Sequence, residues 1–283
     1  MAVQIGGTPI TLGSLQLSVV DDAGVTWLPT NVKGWSSPGV RAELASRQAD
    51  HGAWASPGYL NARPISIEGL IAAPSTAARD AAIEQLYAAV ALTDTVLVVG
   101  ESIPKQVTVR RSGEVLVEPV NPYSVTYSLA VTAADPRRYG TTLQTQSTPL
   151  PSTTGGLTMP VTLPIVISTT TVAGRITLVN EGTIATRPLF TLLGPVTNPT
   201  ISVQYPDGSV RALVYSSSID VGDELIIDTD RHSVELNGVI SRRLYLSGQW
   251  PEIPPDTTVT VGWYADTYDA NALLTGSVRS AWM

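Results

Sequence analysis

The stretch that decides the fold is Arg175–Val203, RITLVNEGTIATRPLFTLLGPVTNPTISV. It opens with an alternating strand, Ile176–Val179, which stops at Asn180-Glu181-Gly182, a turn cluster that readily supplies a left-handed residue. Two further apolar strands follow with proline turns between them: Leu189–Leu193, Gly194-Pro195, Asn198-Pro199 and Ile201–Val203. The pattern is typical of the front of an antiparallel sandwich, and it contains no obvious catalytic set.

The chain downstream of this stretch continues as short strands with a turn every eight to twelve residues. Pro206-Asp207-Gly208 and Asn237-Gly238 supply tight turns. Regular short strands with such turns indicate a β-sandwich. The predicted strands are Ser209–Val214, Leu225–Asp228, Ser233–Leu236, Arg243–Leu246, Val259–Trp263 and Gly276–Trp282.

The composition indicates a folded chain with few charges. The 283 residues are 43% hydrophobic and 14% charged, with a formal net charge of −7. An acidic chain lacks the basic surface that holds nucleic-acid phosphates. The absence of cysteine excludes disulfides and thiolate metal sites. So few charges suggest that neighbouring molecules cover much of the surface.

The first half of the chain predicts strands with one helix. Long alternating strands run over Arg63–Leu70 and Tyr123–Thr132. Ser75 or Thr76 caps the helix, and Ile83, Leu86, Tyr87 and Val90 form its apolar stripe. A two-strand hairpin is predicted from Val107–Arg110 to Glu114–Val117 across Ser112-Gly113.

Two segments lack the periodicity of strands or helices. Residues 45–62, ASRQADHGAWASPGYLNA, predict an irregular loop, and loops of this length are usually functional or interfacial. Residues 141–160, rich in Thr, Ser, Pro and Gly, predict an extended linker. The expected domains are therefore 1–140 and 161–283. The fold class is mainly β with one helix, as two β-sandwich domains joined by this linker.

Three groups of residues offer chemistry, and each also has a plainer interpretation. The acidic cluster at Asp220, Asp223, Glu224, Asp228 and Asp230 could bind calcium or, if held across a cleft, hydrolyse a glycoside. We favour solvated strand ends, because alternation along a strand scatters these side chains over both faces. His51 of Asp50-His51-Gly52 could act as a base, but no nucleophile motif lies near it. We favour a loop histidine that packs or lies at an interface. Tryptophans 250, 263 and 282 could stack on sugars, but tryptophans in small sandwiches are more often core residues.

The motifs, taken in chain order, resemble those of one family. In the first half they are Trp35–Gly39, Asp50-His51-Gly52, Arg63–Gly69 and Asp135–Tyr139. In the second half they are Asn180-Glu181-Gly182, Arg187-Pro188, Gly194-Pro195, Asn198-Pro199, Asn237-Gly238, Ser247–Trp250 and Val278–Trp282. This order resembles the distal tail proteins, which form rings at the tail tip of long-tailed bacteriophages. Ile253–Thr258 departs from the Pro-Gly and later Asn that relatives often carry there.

The resemblance implies a structural virion protein rather than an enzyme, with no cofactor and no membrane insertion. Residues 1–140 would form a hexameric ring enclosing a channel that DNA crosses without specific binding. Residues 161–283 would be a galectin-like sandwich facing outward. The implied partners are the tail tube protein, the tail-tip or hub protein, the tape measure protein and receptor-binding proteins. The implied location is the virion tail tip, assembled in the host bacterial cytoplasm.

The subunit contacts of such a ring are predicted at the 45–62 loop and the strand that follows it. The residues expected there are Arg47, Gln48, His51, Trp54, Tyr59 and Arg63. The alternative function is a carbohydrate-binding adhesin that recognises a receptor from the phage tail. A monomer that binds glycans would favour that alternative.

Overall fold

The computed structural model describes residues 3–4, 7–90, 92–154 and 170–283. Within these ranges the protein is mostly strand with a single α-helix, which confirms the mainly β fold class. The chain forms two compact units, one of residues 1–141 with 282–283 and one of residues 142–281. No helix in the described ranges is long and apolar enough to cross a membrane.

In the described part of residues 1–141, the first unit contains fifteen strands and the helix. Their bounds are β1 Val3–Gln4, β2 Ile10–Leu12, β3 Leu15–Leu17, β4 Val19–Val20, β5 Thr26–Lys33, β6 Val40–Arg41, β7 Leu44–Ser46, β8 Ala53–Ala55, β9 Tyr59–Leu60, β10 Arg63–Ala72, α1 Thr76–Ala89, β11 Thr95–Val99, β12 Lys105–Arg111, β13 Leu116–Asn121, β14 Ser124–Ala133 and β15 Arg138–Gly140.

Antiparallel pairing joins most of these strands into one sheet. The order runs β1-β4-β5-β10-β14-β12-β11-β2-β3, with β13 on β14 and β15 on β12. The two longest strands, β10 and β14, pair over ten residues from Arg63↔Ala133 to Ala72↔Ser124. Their inward residues, among them Ile65, Ile67 and Leu129, form one apolar core with the other strands and α1.

The helix begins where its sequence predicts. Ser75 is the N-cap, and its Oγ accepts a hydrogen bond from the Ala78 N–H at 3.2 Å. Leu86 and Val90 of the predicted stripe are buried, and Ala82 joins them. Ile83 is half-buried, whereas Tyr87 is exposed, so the buried stripe is narrower than predicted.

The predicted hairpin across Ser112-Gly113 is wrong. The β12 strand pairs with β11, β14 and β15, and β13 pairs with β14 instead of turning back on β12. The Ser112 N–H donates to the Ala130 carbonyl, so the chain runs on along the same edge of β14. The tight turn instead lies further along the chain, at Pro122-Tyr123, where β13 turns directly into β14 and pairs with it from Leu116↔Ser128 to Asn121↔Ser124.

The second unit is two facing sheets with a separate core. Its elements are β16 Gln144–Pro149, β17 Ser152–Thr154, β18 Thr170–Val172, β19 Arg175–Asn180, β20 Leu189–Leu193, β21 Val196–Thr197, β22 Thr200–Gln204, β23 Val210–Tyr215, β24 Ser218–Ile219, β25 Glu224–Asp228, β26 Ser233–Leu236, β27 Ile240–Ser241, the 3₁₀ turn Arg243–Tyr245, β28 Leu246–Gly248, β29 Thr257–Tyr264 and β30 Leu273–Val278; the last strand of the chain is β31 Ala281–Trp282.

The sheets of this unit follow the orders β16-β30-β20-β25-β26-β27 and β19-β29-β22-β23-β28. Residues such as Phe190, Ile201 and Val261 fill the space between them. Part of the segment predicted as a linker is here a strand, because β16 pairs with β30 from Gln144↔Val278 to Pro149↔Leu273. Threonine suits strands as well as linkers, which explains the difference. Residues 155–160 of that segment lie outside the described ranges.

Candidate interaction surface

The segment between β5 and β10 is a two-tier hairpin rather than the irregular loop that its sequence predicts. In the lower tier β6 pairs with β9, Val40↔Leu60 and Arg41↔Tyr59. In the upper tier β7 pairs with β8, from Leu44↔Ala55 to Ser46↔Ala53. The Ser56 N–H donates to the Glu43 carbonyl at 2.9 Å and joins the tiers. We call residues 40–60 the arm.

The arm is almost wholly exposed. Every residue from 40 to 59 is exposed, and Leu60 is half-buried. Four large apolar side chains are among them, with Leu44 71% and Trp54 66% exposed beside Val40 and Tyr59. A two-stranded hairpin without further cover is at best marginally stable in water. The arm therefore exposes an apolar surface of the kind that marks contacts with other molecules.

Cations lie on the aromatic rings of the arm. The Arg47 guanidinium carbon is 4.5 Å from the Trp54 ring centroid, and that of Arg41 is 5.6 Å from the Tyr59 ring. Such contacts contribute about 0.5–1 kcal/mol each at exposed sites. Arg47 Nη1 also lies 3.4 Å from Asp50 Oδ2. The side chains of Arg47 and Trp54 thus form one basic and aromatic unit on the arm.

The structure gathers five of the six predicted contact residues on the arm, namely Arg47, Gln48, His51, Trp54 and Tyr59, all exposed. Whether they touch another subunit stays a prediction. Arg63 is not on this surface and the prediction for it is corrected, because its side chain is 0% exposed. Strand alternation places Arg63 on the same inward face as Ile65 and Ile67, a signal that the sequence already carried.

Arg63 instead connects the backbone of its own unit. Its Nε donates to the Pro136 carbonyl at 2.9 Å, and its Nη1 donates to the Trp35 carbonyl at 2.5 Å. Burial, and then the nearby Arg138, lower the pKa of Arg63 to about 10, so it stays charged at neutral pH. Three backbone carbonyls, that of Gly34 included, depend on this side chain.

A groove of about 300 Å³ crosses the outer face of the first unit's sheet. It lies over β5, β10, β14 and β13, and its lining residues are Thr30, Glu68, Gly69, Leu116, Glu118, Thr126, Tyr127 and Ser128. A hydrogen bond from Lys33 Nζ, at 2.8 Å, lowers the pKa of the Glu68 carboxyl. No sequence motif marks the groove, because its residues come from four strands, of which only β13 and β14 are neighbours in the chain.

The structure does not bring the other candidate residues together as sites. Trp263 is buried, and Trp250 is covered by the His232 ring, 4.6 Å away, and by Arg243. Trp282 belongs to the first unit, with Lys105 Nζ 5.4 Å from its ring centroid. Asp228 Oδ1 accepts the N–H groups of Asp230 and Arg231, as a turn residue does. Among the described residues no group of three His, Cys, Asp or Glu could hold a metal ion.

The described residues define a two-unit, mainly β protein with an exposed arm. The chain is similar in structure to the Dit protein of phage SPP1, with a TM-score of 0.63 and 14% sequence identity. The match covers 98% of this chain and 100% of that one, and at such low identity it shows the fold alone. A chain of the phage P2 baseplate in its activated conformation with Ca also matches, with a TM-score of 0.46, 10% identity, and 93% and 100% coverage. No protein-family model matches the chain, and no curated protein does.

Proposed function

We propose that the protein is a structural component of a bacteriophage tail tip. The observation that carries the proposal is the fold, which follows that of SPP1 Dit over 98% of this chain. That protein is described as a paradigm of the hub adsorption apparatus in phages that infect Gram-positive bacteria. The family motifs in the sequence support the same role independently of the structure.

In its finer form, the proposal is a hexameric ring made by the first unit and closed around a channel for DNA. The second unit is a galectin-like domain that faces outward and docks receptor-binding proteins. The tail tube protein, the tail-tip or hub protein and the tape measure protein are the other partners. The net charge of −7 suits a wall that DNA passes without binding.

The arm supports an assembled state. Its apolar side chains stay in contact with water in an isolated subunit, because nothing in the described chain covers them. Burying them against another copy would stabilise the assembly. Interfaces between subunits favour aromatic residues and arginine, and the arm presents Trp54, Tyr59, Arg41 and Arg47. We propose that these residues, with Gln48 and His51, lie at contacts between copies.

The test is the oligomeric state of the purified full-length chain. Light scattering after size exclusion, followed by negative-stain imaging, should give a hexamer with a sixfold ring and a central hole. The protein concentration and the salt concentration should both be varied, because each shifts the equilibrium between free subunits and the ring. A protein that stays monomeric under all these conditions and binds an immobilised glycan would support the adhesin instead.

A further inference from the structure

The direction of the arm is set at its base, because every residue from 40 to 59 is exposed. Trp35 lies on the segment that leads into the arm, and Arg63 lies on the segment that leads out of it. Arg63 Nη1 donates to the Trp35 carbonyl at 2.5 Å and so ties the two segments together. The Asn61 N–H also donates to the Gly39 carbonyl, at 2.8 Å. How the arm points therefore depends on how Trp35 and Arg63 are held.

The Trp35 side chain is held by charged groups. Its Nε1 donates to Glu101 Oε1 at 2.5 Å, and the Arg138 guanidinium carbon lies 5.5 Å from its ring centroid. Lys105 Nζ donates to the other oxygen of Glu101, also at 2.5 Å. The Lys105 and Arg138 side chains are only 11% and 14% exposed, so salt screens these charges little. Together these contacts hold Trp35 in one arrangement.

Two residues that follow the second unit in the chain complete this cluster. Trp282 and Met283 belong to the first unit. Lys105 Nζ lies 5.4 Å from the Trp282 ring centroid, and Arg138 Nε donates to the Met283 backbone oxygen at 3.0 Å. The two cations that hold Glu101 and Trp35 are therefore themselves held by residues from beyond position 281.

We propose that Trp282 is a positioning residue for the arm, acting through Lys105 and Glu101 on Trp35. A leg of the hairpin is about ten residues long at about 3.3 Å per residue, so a tilt of about 10° at the base moves its tip by about 5 Å. Such a shift is enough to break side-chain contacts with another subunit, since these contacts end at about 4.5 Å.

The position of Trp282 in the chain gives this arrangement a consequence for assembly. The arm is correctly held only in a chain that has been synthesised beyond the whole second unit. A ring that selects subunits by their arms therefore excludes incomplete chains. The inference rests on the proposed ring, and it adds the residue that makes a subunit competent to enter it.

Hydrogen exchange of the dilute full-length protein, followed by mass spectrometry, measures how the base is held. In Trp282→Ala, exchange should accelerate more at residues 34–39 and 60–63 than in the middle of β10. Ile71→Val is the matched control, because Ile71 is fully buried at the other end of β10 and the substitution weakens the core without touching the base. Equal acceleration at the base and in the strand, as expected for Ile71→Val, would reduce Trp282 to a general contribution to stability and overturn the inference.

Light scattering measures the effect on assembly. Trp282→Ala should raise the protein concentration for half-assembly by about tenfold, because only subunits with a correctly held arm can bind. Trp282→Phe keeps an aromatic face for Lys105 and should restore most of the loss. Ile71→Val should assemble as the parent protein does.

The two measurements separate the inference from the proposed function. Rings that form in Trp282→Ala at the parent concentration would overturn the inference and leave the proposed function intact. A parent protein that never forms rings would overturn the proposed function and, with it, a role for Trp282 in assembly.

Discussion

Asn180 is the residue on which the turn between β19 and β20 depends. It is fully buried, and its Nδ2 donates to the carbonyls of Ile184, Ile253 and Pro254 at 2.8–3.0 Å. Its Oδ1 accepts from the N–H groups of Gly182 and Ala281. Gly182, the last residue of the motif, lets the backbone of Ala281 approach closely, since a Cβ on Gly182 would lie 1.7 Å from the Ala281 carbonyl oxygen. The Asn-Glu-Gly signature is therefore a structural connector.

We expect Asn180→Ala to lower the free energy of unfolding of the second unit by about 3 kcal/mol or more, because it leaves several buried backbone groups unpaired. Urea unfolding followed by circular dichroism measures the change. Asn271→Ala, at an exposed asparagine, should change it by less than about 1 kcal/mol. Equal effects of the two substitutions would show that the Asn180 network contributes nothing special.

Glu101 makes the stability of the first unit depend on pH. Its carboxylate accepts from Trp35 Nε1 and from Lys105 Nζ, both at 2.5 Å. Partial burial alone would raise the pKa of Glu101, but these two hydrogen bonds and the positive charges of Lys105 and Arg138 together hold the pKa below its ordinary value of 4.5. A carboxyl with a depressed pKa in the folded state stabilises the protein above its unfolded-state pKa, and this stabilisation is lost as the pH falls.

Glu101→Gln should therefore lower the free energy of unfolding by about 1–2 kcal/mol at pH 7, because Lys105 and Arg138 lose their counter-ion. The difference from the parent protein should shrink as the pH falls below about 4.5, where the native carboxyl is increasingly protonated. Urea titrations at a series of pH values measure this. A difference that stays constant down to pH 3 would mean that Glu101 acts through packing and not through its charge.

At the scale of elements, the arm can be removed without opening the core. Arg41 and Tyr59 are paired directly, so replacing residues 42–58 by Asn-Gly closes a two-residue hairpin between them. The free energy of unfolding should change by less than about 1 kcal/mol, because the deleted residues are all exposed. Light scattering of the same protein should show that assembly is lost. A shortened protein that still forms rings would exclude the arm from the contacts.

The sequence predicts the long elements better than the short ones. β10 and β14 show the period-two pattern over many residues, and α1 has both a cap and a stripe. The strands of the arm are two or three residues long, which is too short for a period to show. The hairpin at Ser112-Gly113 failed for another reason, since β13 turns at Pro122-Tyr123 and pairs with β14, the strand that follows it. The groove could not be predicted, because only the folded sheet assembles it.

At the scale of the whole molecule, each of the two units has its own hydrophobic core. The core of the second unit draws its buried residues from Leu150 to Val278, and that of the first from Ile10 to Ala133. Each core has a full set of buried aliphatic and aromatic residues, which is what an independent domain requires. The proposal that the first unit alone makes the ring can therefore be tested separately from the folding of the second unit.

Residues 142–281 expressed alone should therefore fold cooperatively and remain monomeric, while the full chain assembles. Circular dichroism melting reports the folding, and light scattering of the fragment and the full chain at equal concentration reports the assembly. The fragment with Asn180→Ala is the internal control and should melt at a clearly lower temperature, because its network lies within this unit. A fragment that forms hexamers by itself would move the ring contacts to the second unit, and the arm would then need another role.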